Sequence, residues 1–289
     1  MPDLSIVIVN YNTREPLRRC LESIKAQRGT LDVQVIVVDN ASKDGSADMV
    51  RQVMPEALLI EPGHNTWFTG GNNLGMAQAA APVTLILNPD TVFLPGTMQT
   101  MLAYLTAHPQ VGAITCQMRF PTGGIQNTGS LVPAYSDLLM GYTFFGVLLK
   151  PLRDSRRRKM WFEGWGRDST RPVEVIPDSN LMAPTALLRQ VGMFDESFKL
   201  YFTEDDICRR ILNAGREIHF VAEAVLLHEE HASTSQVQRL ASQVYFQDLL
   251  VFTRKYYGSA RALLLRTLIW PTRQMMDVAQ WLRGERKAL

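Results

Sequence analysis

Three acidic residues in succession, Glu204-Asp205-Asp206, follow the aromatic pair Tyr201-Phe202 and open a stretch in which Ile207, Ile211 and Leu212 fall on one helical face. Acids near a helix N-terminus can simply complement its dipole. Three together behind aromatics offer more, because a partly desolvated carboxylate can take a proton from a hydroxyl. A second set of polar residues closes apolar runs: Asn10-Tyr11 after residues 4–9, Asp39 after 33–38, and Asn88-Pro89-Asp90 after 83–87. Asp90 is an oxygen donor of the kind that Mg²⁺ or Mn²⁺ takes alongside substrate phosphates. His228 follows the apolar run 224–227, and imidazole is a common metal ligand, although a histidine there can equally be a plain surface residue. Trp67, Asn72 and Asn73 lie in the stretch 65–75, whose paired glycines permit a close backbone approach and whose amides offer donors and acceptors. A glycine-rich loop capped by Asn72 is the plain alternative. Asp44 and Ser46 read as helix caps.

The elements that must position these residues follow from periodicity. Short apolar, β-branched runs at 4–9, 33–38, 57–60, 83–87 and 111–118 alternate with amphipathic stretches, which predicts a parallel sheet covered by helices on both faces. In such sheets ligands bind beyond the carboxyl ends of the strands, where the polar residues above collect. From 119 to 173 the rhythm fails, and the glycines, prolines and aromatics there read as irregular loops with one helix. Residues 237–257 and 259–282 read as two helices, the second interrupted at Pro271.

Composition narrows the classes. The chain has 289 residues with Lys plus Arg 30 against Asp plus Glu 28, a balance that does not suit a dedicated nucleic-acid binder. Cys20, Cys116 and Cys208 are far apart with no C-x-x-C spacing, so neither a disulfide framework nor a zinc knot is expected, and a reduced, cytoplasmic compartment fits. The N-terminus shows no basic, signal-like segment. The longest uncharged apolar run, 138–149, falls short of the roughly 20 residues of a spanning helix. No G-x-G-x-x-G follows the first run and no P-loop is present, so a phosphorylated ligand here needs a cation. From residue 251 onward eight basic residues face two acidic ones. There Leu264, Leu268, Met275, Val278 and Leu282 recur at near-helical spacing, with Trp270 and Trp281 among them and Arg261, Arg266, Arg273 and Arg283 interspersed. That pattern suits a helix lying on an anionic membrane surface; a helix packed on the rest of the chain, or a dimer contact, is the alternative.

Together these residues resemble the inverting family-2 glycosyltransferases, especially the rhamnosyltransferase-like branch. The matching pieces, in family order, are S-I-V-I-V-N-Y-N, V-V-D-N-A-S-K-D-G-S, H-N-T-W-F-T-G-G-N-N-L-G, L-N-P-D-T, G-M-F-D-E-S-F, Y-F-T-E-D-D-I-C-R-R and the late His228. The resemblance implies an α/β fold of the GT-A type, a Rossmann-like sheet flanked by helices. It places a catalytic domain at residues 1–233, with a nucleotide-sugar half at 1–118 and an acceptor half at 119–233, and a basic helical extension at 234–289. It also implies a dTDP- or UDP-sugar donor, a glycan or lipid-linked acceptor, and Mg²⁺ or Mn²⁺. By the same resemblance Val9, Asn10, Tyr11 and Asp39 form the base pocket. Asn88 and Asp90 stand at the family's aspartate-x-aspartate metal motif, with Asn88 in place of the first aspartate, and His228 is the second metal ligand. Alignment on Cys208 makes Glu204 the base, with Asp205 as its rival one residue on; Asp206, Arg209, Arg210 and Trp67 support. The competing readings are a sugar-phosphate nucleotidyltransferase, which would normally carry a glycine-rich basic loop after the first strand, and a non-catalytic membrane-associated module that binds sugar nucleotides.

Overall fold

The computed structural model describes residues 1–229 and 238–282. In chain order the elements are β1 (Leu4–Asn10), α1 (Arg14–Gln27), β2 (Val33–Asp39), α2 (Ser46–Val53), β3 (Leu58–Ile60), α3 (Trp67–Ala77), β4 (Val83–Leu87), β5 (Thr91–Phe93), α4 (Thr97–Ala107) and β6 (Val111–Arg119). Then follow α5 (Tyr135–Tyr142), α6 (Phe145–Leu148), α7 (Lys150–Met160), β7 (Arg171–Val173), β8 (Asn180–Pro184), α8 (Thr185–Gln190), α9 (Thr203–Asn213), β9 (Glu217–His228), α10 (Gln238–Tyr257) and α11 (Ser259–Leu282).

Among the described residues the strands form one nine-stranded sheet of order β3-β2-β1-β4-β8-β6-β9-β5, with β7 paired to β9. The first four are parallel and apolar on both sides, as sheets sandwiched between helices require. Alternation along each strand serves two cores. Leu4, Ile6 and Ile8 face Leu17, Leu21 and Ile24 of α1, whereas Val7, Ile36 and Ile86 face Met76 and Ala79 beside α3. A third core joins Leu138 of α5, Phe198 and Phe202 before α9, Leu249 and Phe252 of α10, and Leu265 and Ile269 of α11.

Register brings the polar residues together. Asn10 pairs with Asp39, and Ile8 with Leu87, so β1, β2 and β4 end at one edge. The antiparallel β8 starts at that edge, Asn180 opposite Leu87. β5 then runs back along the end of β9 with Thr91 opposite His228, which carries Asp90 to the histidine.

The structure departs from the sequence expectations in four places. The stretch 119–173 holds three helices and the short β7; α7 buries no side chain and so had no apolar stripe to read. β5 has only three residues. α3 starts at Trp67 rather than near Gly71, because the buried Asn40 accepts from the Thr66 hydroxyl at 2.6 Å and donates to Trp67 O at 3.0 Å. α11 runs unbroken through Pro271; the carbonyl that its missing N–H leaves open is that of Thr267, an exposed residue that water can serve. The first half of α11 packs on the protein through Leu265 and Ile269, with Leu264 and Trp270 exposed, while the side chains of Met275, Val278, Trp281 and Leu282 and residue Arg283 lie outside the described residues. No described helix is long and apolar enough to cross a membrane.

Candidate active site

At the ends of β1 and β2 the polar atoms answer one another. Asn10 donates to Asp39 Oδ1 at 2.7 Å and to Ser42 Oγ at 3.0 Å, and accepts from Thr13 Oγ1 at 2.6 Å. Asp39 also accepts from the Ser42 hydroxyl at 2.6 Å and from its N–H at 3.1 Å. Val9 and Tyr11, both half-buried, flank this network. The N-cap of α2 is Gly45, not Asp44 or Ser46 as the sequence suggested; Asp44 sits one residue earlier, its Oδ1 accepting from Ser46 N and Oγ.

The glycines of α3 serve packing. A Cβ at Gly71 would lie 2.9 Å from Val9 Cγ1, and one at Gly75 would lie 2.4 Å from Val7 Cγ1, so α3 rests directly on β1. Asn72 is buried, its amide donating to Phe68 O at 2.9 Å while its Oδ1 meets no hydrogen-bond donor. Asn73 faces the loop before α9: its amide exchanges hydrogen bonds with Phe194 N and O and donates to Glu196 at 2.9 Å. Trp67 lies under Lys199, whose Nζ is 4.8 Å from the ring centre. The region 65–75 thus couples β1 to the loop that precedes the acidic helix.

Asp90 and His228, 138 residues apart in sequence by their numbering, come within 3.4 Å, Oδ1 to Nε2, both nearly buried. Gln126 holds the histidine from behind: its Nε2 donates to His228 O at 2.8 Å, which turns Oε1 toward His228 Nδ1 at 3.0 Å. With Nδ1 turned to Gln126, Nε2 is the ring nitrogen that faces the Asp90 carboxylate. A carboxylate oxygen and an imidazole nitrogen facing one another can take a cation between them. Among the described residues no group of three or more His, Cys, Asp or Glu could hold a metal, so an ion here would take Asp90 and His228 and complete its shell with ligand and water oxygens, a mode that Mg²⁺ favours. Asn88 lies half-buried beside them, its N–H donating to Ser179 O at 3.0 Å.

Next to Ser179 begins the acidic cluster. Asp178 accepts from the Thr203 hydroxyl, and the same hydroxyl reaches Glu204 at 3.3 Å. Burial raises the Glu204 carboxyl, while its own N–H and Thr203 pull it back. Asp205 is raised well above the usual range by burial and by the charges of Glu204, Asp178 and Asp206. Asp178 is likewise raised well above that range, by burial and then by Glu204. Glu204 and Asp205 line a cavity of about 570 Å³ with Tyr142, Tyr201, Tyr245 and Trp161 in its walls. Raised in this way, one of three neighbouring carboxyls can serve as a proton acceptor.

Asp206 turns the other way. It is buried and receives Arg210, Lys255 and the Tyr256 hydroxyl, so it fastens α9 to α10. Arg209 stacks on Tyr256, its Cζ 4.3 Å from the ring centre. Asp248 of α10 gathers the three consecutive N–H groups of Lys199, Leu200 and Tyr201 on one oxygen at 2.9–3.1 Å, which sets the loop entering α9. Lys255 also pairs with Asp195 at 2.6 Å; burial would raise that carboxyl, but Lys255 and Ser197 outweigh it and hold it at about 2. Asn40, Gln126, Asp178 and Asp248 were not singled out in the sequence.

Residues 5–159 match the model of the family Glycosyl transferase family 2. The chain is 27% identical over 248 residues to the N-acetylglucosaminyl-diphospho-decaprenol L-rhamnosyltransferase of Mycobacterium tuberculosis strain H37Rv, covering 81% of this chain and 78% of that one. It is 24% identical over 264 residues to the low-salt glycan biosynthesis hexosyltransferase Agl10 of Haloferax volcanii, covering 90% and 76%. Among solved structures, the mannosyltransferase PcManGT of Pyrobaculum calidifontis in complex with GDP-Man and Mn²⁺ aligns with a TM-score of 0.59 at 18% identity, over 100% of this chain and 79% of that one. GalNAc-T7 with UDP, GalNAc and Mn²⁺ aligns with a TM-score of 0.60 at 12% identity, over 79% and 44%. The fold shared with these structures is of the GT-A type.

Proposed function

Because the chain belongs to glycosyl transferase family 2, and is thereby an enzyme that transfers sugars, we propose that it moves a sugar from a nucleotide-sugar donor to a hydroxyl of a growing polysaccharide or lipid-linked glycan, with inversion at the anomeric carbon. The donor we favour is dTDP-L-rhamnose, on the strength of the rhamnosyltransferase relative. The reaction is assigned to the cytoplasm or the cytoplasmic face of a membrane. One observation supports the reading: a run of contacts leads from the segment that carries Asp90 to the acid pair, from Asn88 N–H to Ser179 O, and from the adjacent Asp178 through the Thr203 hydroxyl to Glu204.

In this reading Asn10 and Asp39 receive the base, Asp39 accepting from a pyrimidine N–H, with Val9 and Tyr11 beside them. Asn88 and Asp90 border the diphosphate, and Asp90 and His228 hold Mg²⁺ or Mn²⁺. When bound there, such an ion would supply charge that neutralises the leaving diphosphate. Glu204 takes the proton from the acceptor hydroxyl while that oxygen attacks the anomeric carbon from the face opposite the diphosphate. Glu204 is preferred over Asp205 because the Thr203 hydroxyl reaches its carboxylate at 3.3 Å. One displacement needs one base and no covalent nucleophile. Trp67, Asn72 and Asn73 shape the loop behind the donor, and Asp206, Arg209 and Arg210 hold α9 in place.

A thermal-shift screen of nucleotide sugars with Mg²⁺ or Mn²⁺ tests the donor: the true donor at about 100 times its Kd adds about 2.7 kcal/mol. NMR of the product should show inverted anomeric configuration with release of nucleoside diphosphate. Retention would overturn the single displacement, and release of pyrophosphate would indicate nucleotidyl transfer instead.

A further inference from the structure

Glu204 is gripped on both sides by one helix. Before it, Asp248 of α10 takes the N–H groups of Lys199, Leu200 and Tyr201 at 2.9–3.1 Å. After it, Lys255 and the Tyr256 hydroxyl of the same helix reach Asp206. Between these grips Phe202, the N-cap of α9, stands at φ +59°, a left-handed conformation that strains any residue with a side chain. Its ring centre lies 5.4 Å from that of Phe252 and 5.5 Å from that of Tyr245, so α10 also packs on the strained residue. From the other side α3 holds the same loop: Phe68 N–H donates to Lys199 O at 3.1 Å, and the Thr69 hydroxyl to Phe198 O at 2.7 Å.

Fold stability does not account for Asp248. The three N–H groups that it takes belong to half-buried loop residues, which water can serve. Burial raises the Asp248 carboxyl, and those N–H groups and Lys199 pull it only part of the way back. A carboxyl raised on folding costs stability above its ordinary range. Local strain and cost beside a reacting group hold a geometry that the chain does not take unaided.

We propose that Asp248 is a positioning residue for glycosyl transfer: by fixing residues 199–201 it keeps Phe202 left-handed and aims the Glu204 carboxylate into the cavity. The inference rests on the glycosyl-transfer reading and deepens it with a residue of α10, a helix beyond the residues 5–159 that match the family.

The first readout needs no substrate, so its failure is separate from failure of that reading. The full chain, labelled with ¹³C at the glutamate side-chain carboxyls, is titrated by carbon NMR, with the Glu204 signal assigned by its loss in Glu204→Gln. Asp248→Asn removes the charge and leaves an oxygen for the N–H groups; Asp248→Ala removes both. The Glu204 midpoint, raised by burial, is expected to fall further toward the ordinary carboxylate range in Asp248→Ala than in Asp248→Asn. Thr253→Val deletes a buried hydroxyl that bonds within α10, to Leu249 O at 2.7 Å, and is expected to lower the melting temperature without moving that midpoint. In the reconstituted transfer reaction Asp248→Ala is expected to lower kcat about 100-fold at unchanged donor KM, the effect of a misplacement of about 1 Å.

Equal midpoints in Asp248→Ala and Asp248→Asn reduce Asp248 to its charge and overturn the proposal. A shift in Thr253→Val as large as that in Asp248→Ala marks a general loosening of α10 and overturns it too, as does a wild-type kcat in Asp248→Ala. If Asp248→Ala does not fold, Asp248→Glu replaces it, since it keeps the charge and displaces the oxygen by one methylene. A wild-type Glu204 midpoint in that variant overturns the positioning role.

Discussion

The two halves of the site are built differently. On the donor side, Asn10, Asp39 and Ser42 satisfy one another at the ends of strands buried on both faces. On the side of the acid pair, the cavity is walled by surface helices, one of which buries no side chain, and Arg153, Arg156 and Arg157 line it. A network already satisfied before ligand arrives is preorganised and loses little on binding. A wall of exposed side chains on short helices can change without disturbing a core. In the proposed reading, this difference would put affinity for the nucleotide in the sheet and choice of acceptor in α5–α7.

The sharpest way to break that division is at the acid pair. Glu204→Gln should bind donor normally and lose turnover by about 10²–10⁴. If Asp205→Asn is inert while Glu204→Gln works, the two exchange roles. On the donor side, Asp90→Ala should abolish Mn²⁺-dependent donor binding by calorimetry, a loss of at least about 100-fold. Gln126→Ala should leave Asp90 in place yet weaken Mn²⁺ by about 10–100-fold in a metal titration read by paramagnetic resonance, because the His228 ring loses its orientation. Unchanged Mn²⁺ affinity in Gln126→Ala would remove the histidine clasp from the argument.

The halves should also differ in stability. Asn10→Ala strands buried partners and should cost about 1–3 kcal/mol in denaturant unfolding, whereas Leu148→Ser should stay within about 0.5 kcal/mol. The smallest expected effect is one of pH. Asp178 and Asp205 have folded-state values above their unfolded ones, so the stability they contribute is fully present below the ordinary carboxylate range and is lost as pH rises through the raised values. Asp178→Asn removes one like charge. The acid limb of the kcat/KM profile should then move to lower pH, and the melting temperature should gain more at pH 8 than at pH 4.5.

Much of this was legible in the sequence. Strand runs and the polar residues behind them gave Asn10, Asp39 and Asp90, because parallel strands deliver their carboxyl ends to one edge. The same rule hid Asp178. β8 is antiparallel, so its functional end is its beginning, and Asp178 precedes the strand instead of following it. Gln126 lies in a loop and acts through a histidine more than 100 positions away; no spacing announces such a pair. The α7 helix carries no apolar stripe since its work is at the surface, so periodicity passed over it. Asp206 and Arg210 were visible as charges, but only the packing of α10 against α9 shows that they hold the helices together.

That packing bears on how the scaffold can be re-engineered. Tyr245 of α10 supplies part of the cavity wall, Asp248 fixes the loop that leads to Glu204, and Lys255 bridges Asp195 and Asp206. A chimera that imports α5–α7 from another transferase must therefore import α10 with them, as one cassette. Exchanged alone, the imported helices would form a cavity against a foreign tyrosine and a loop set for a different acceptor, and the hybrid would hold its nucleotide while finding no hydroxyl in line with it.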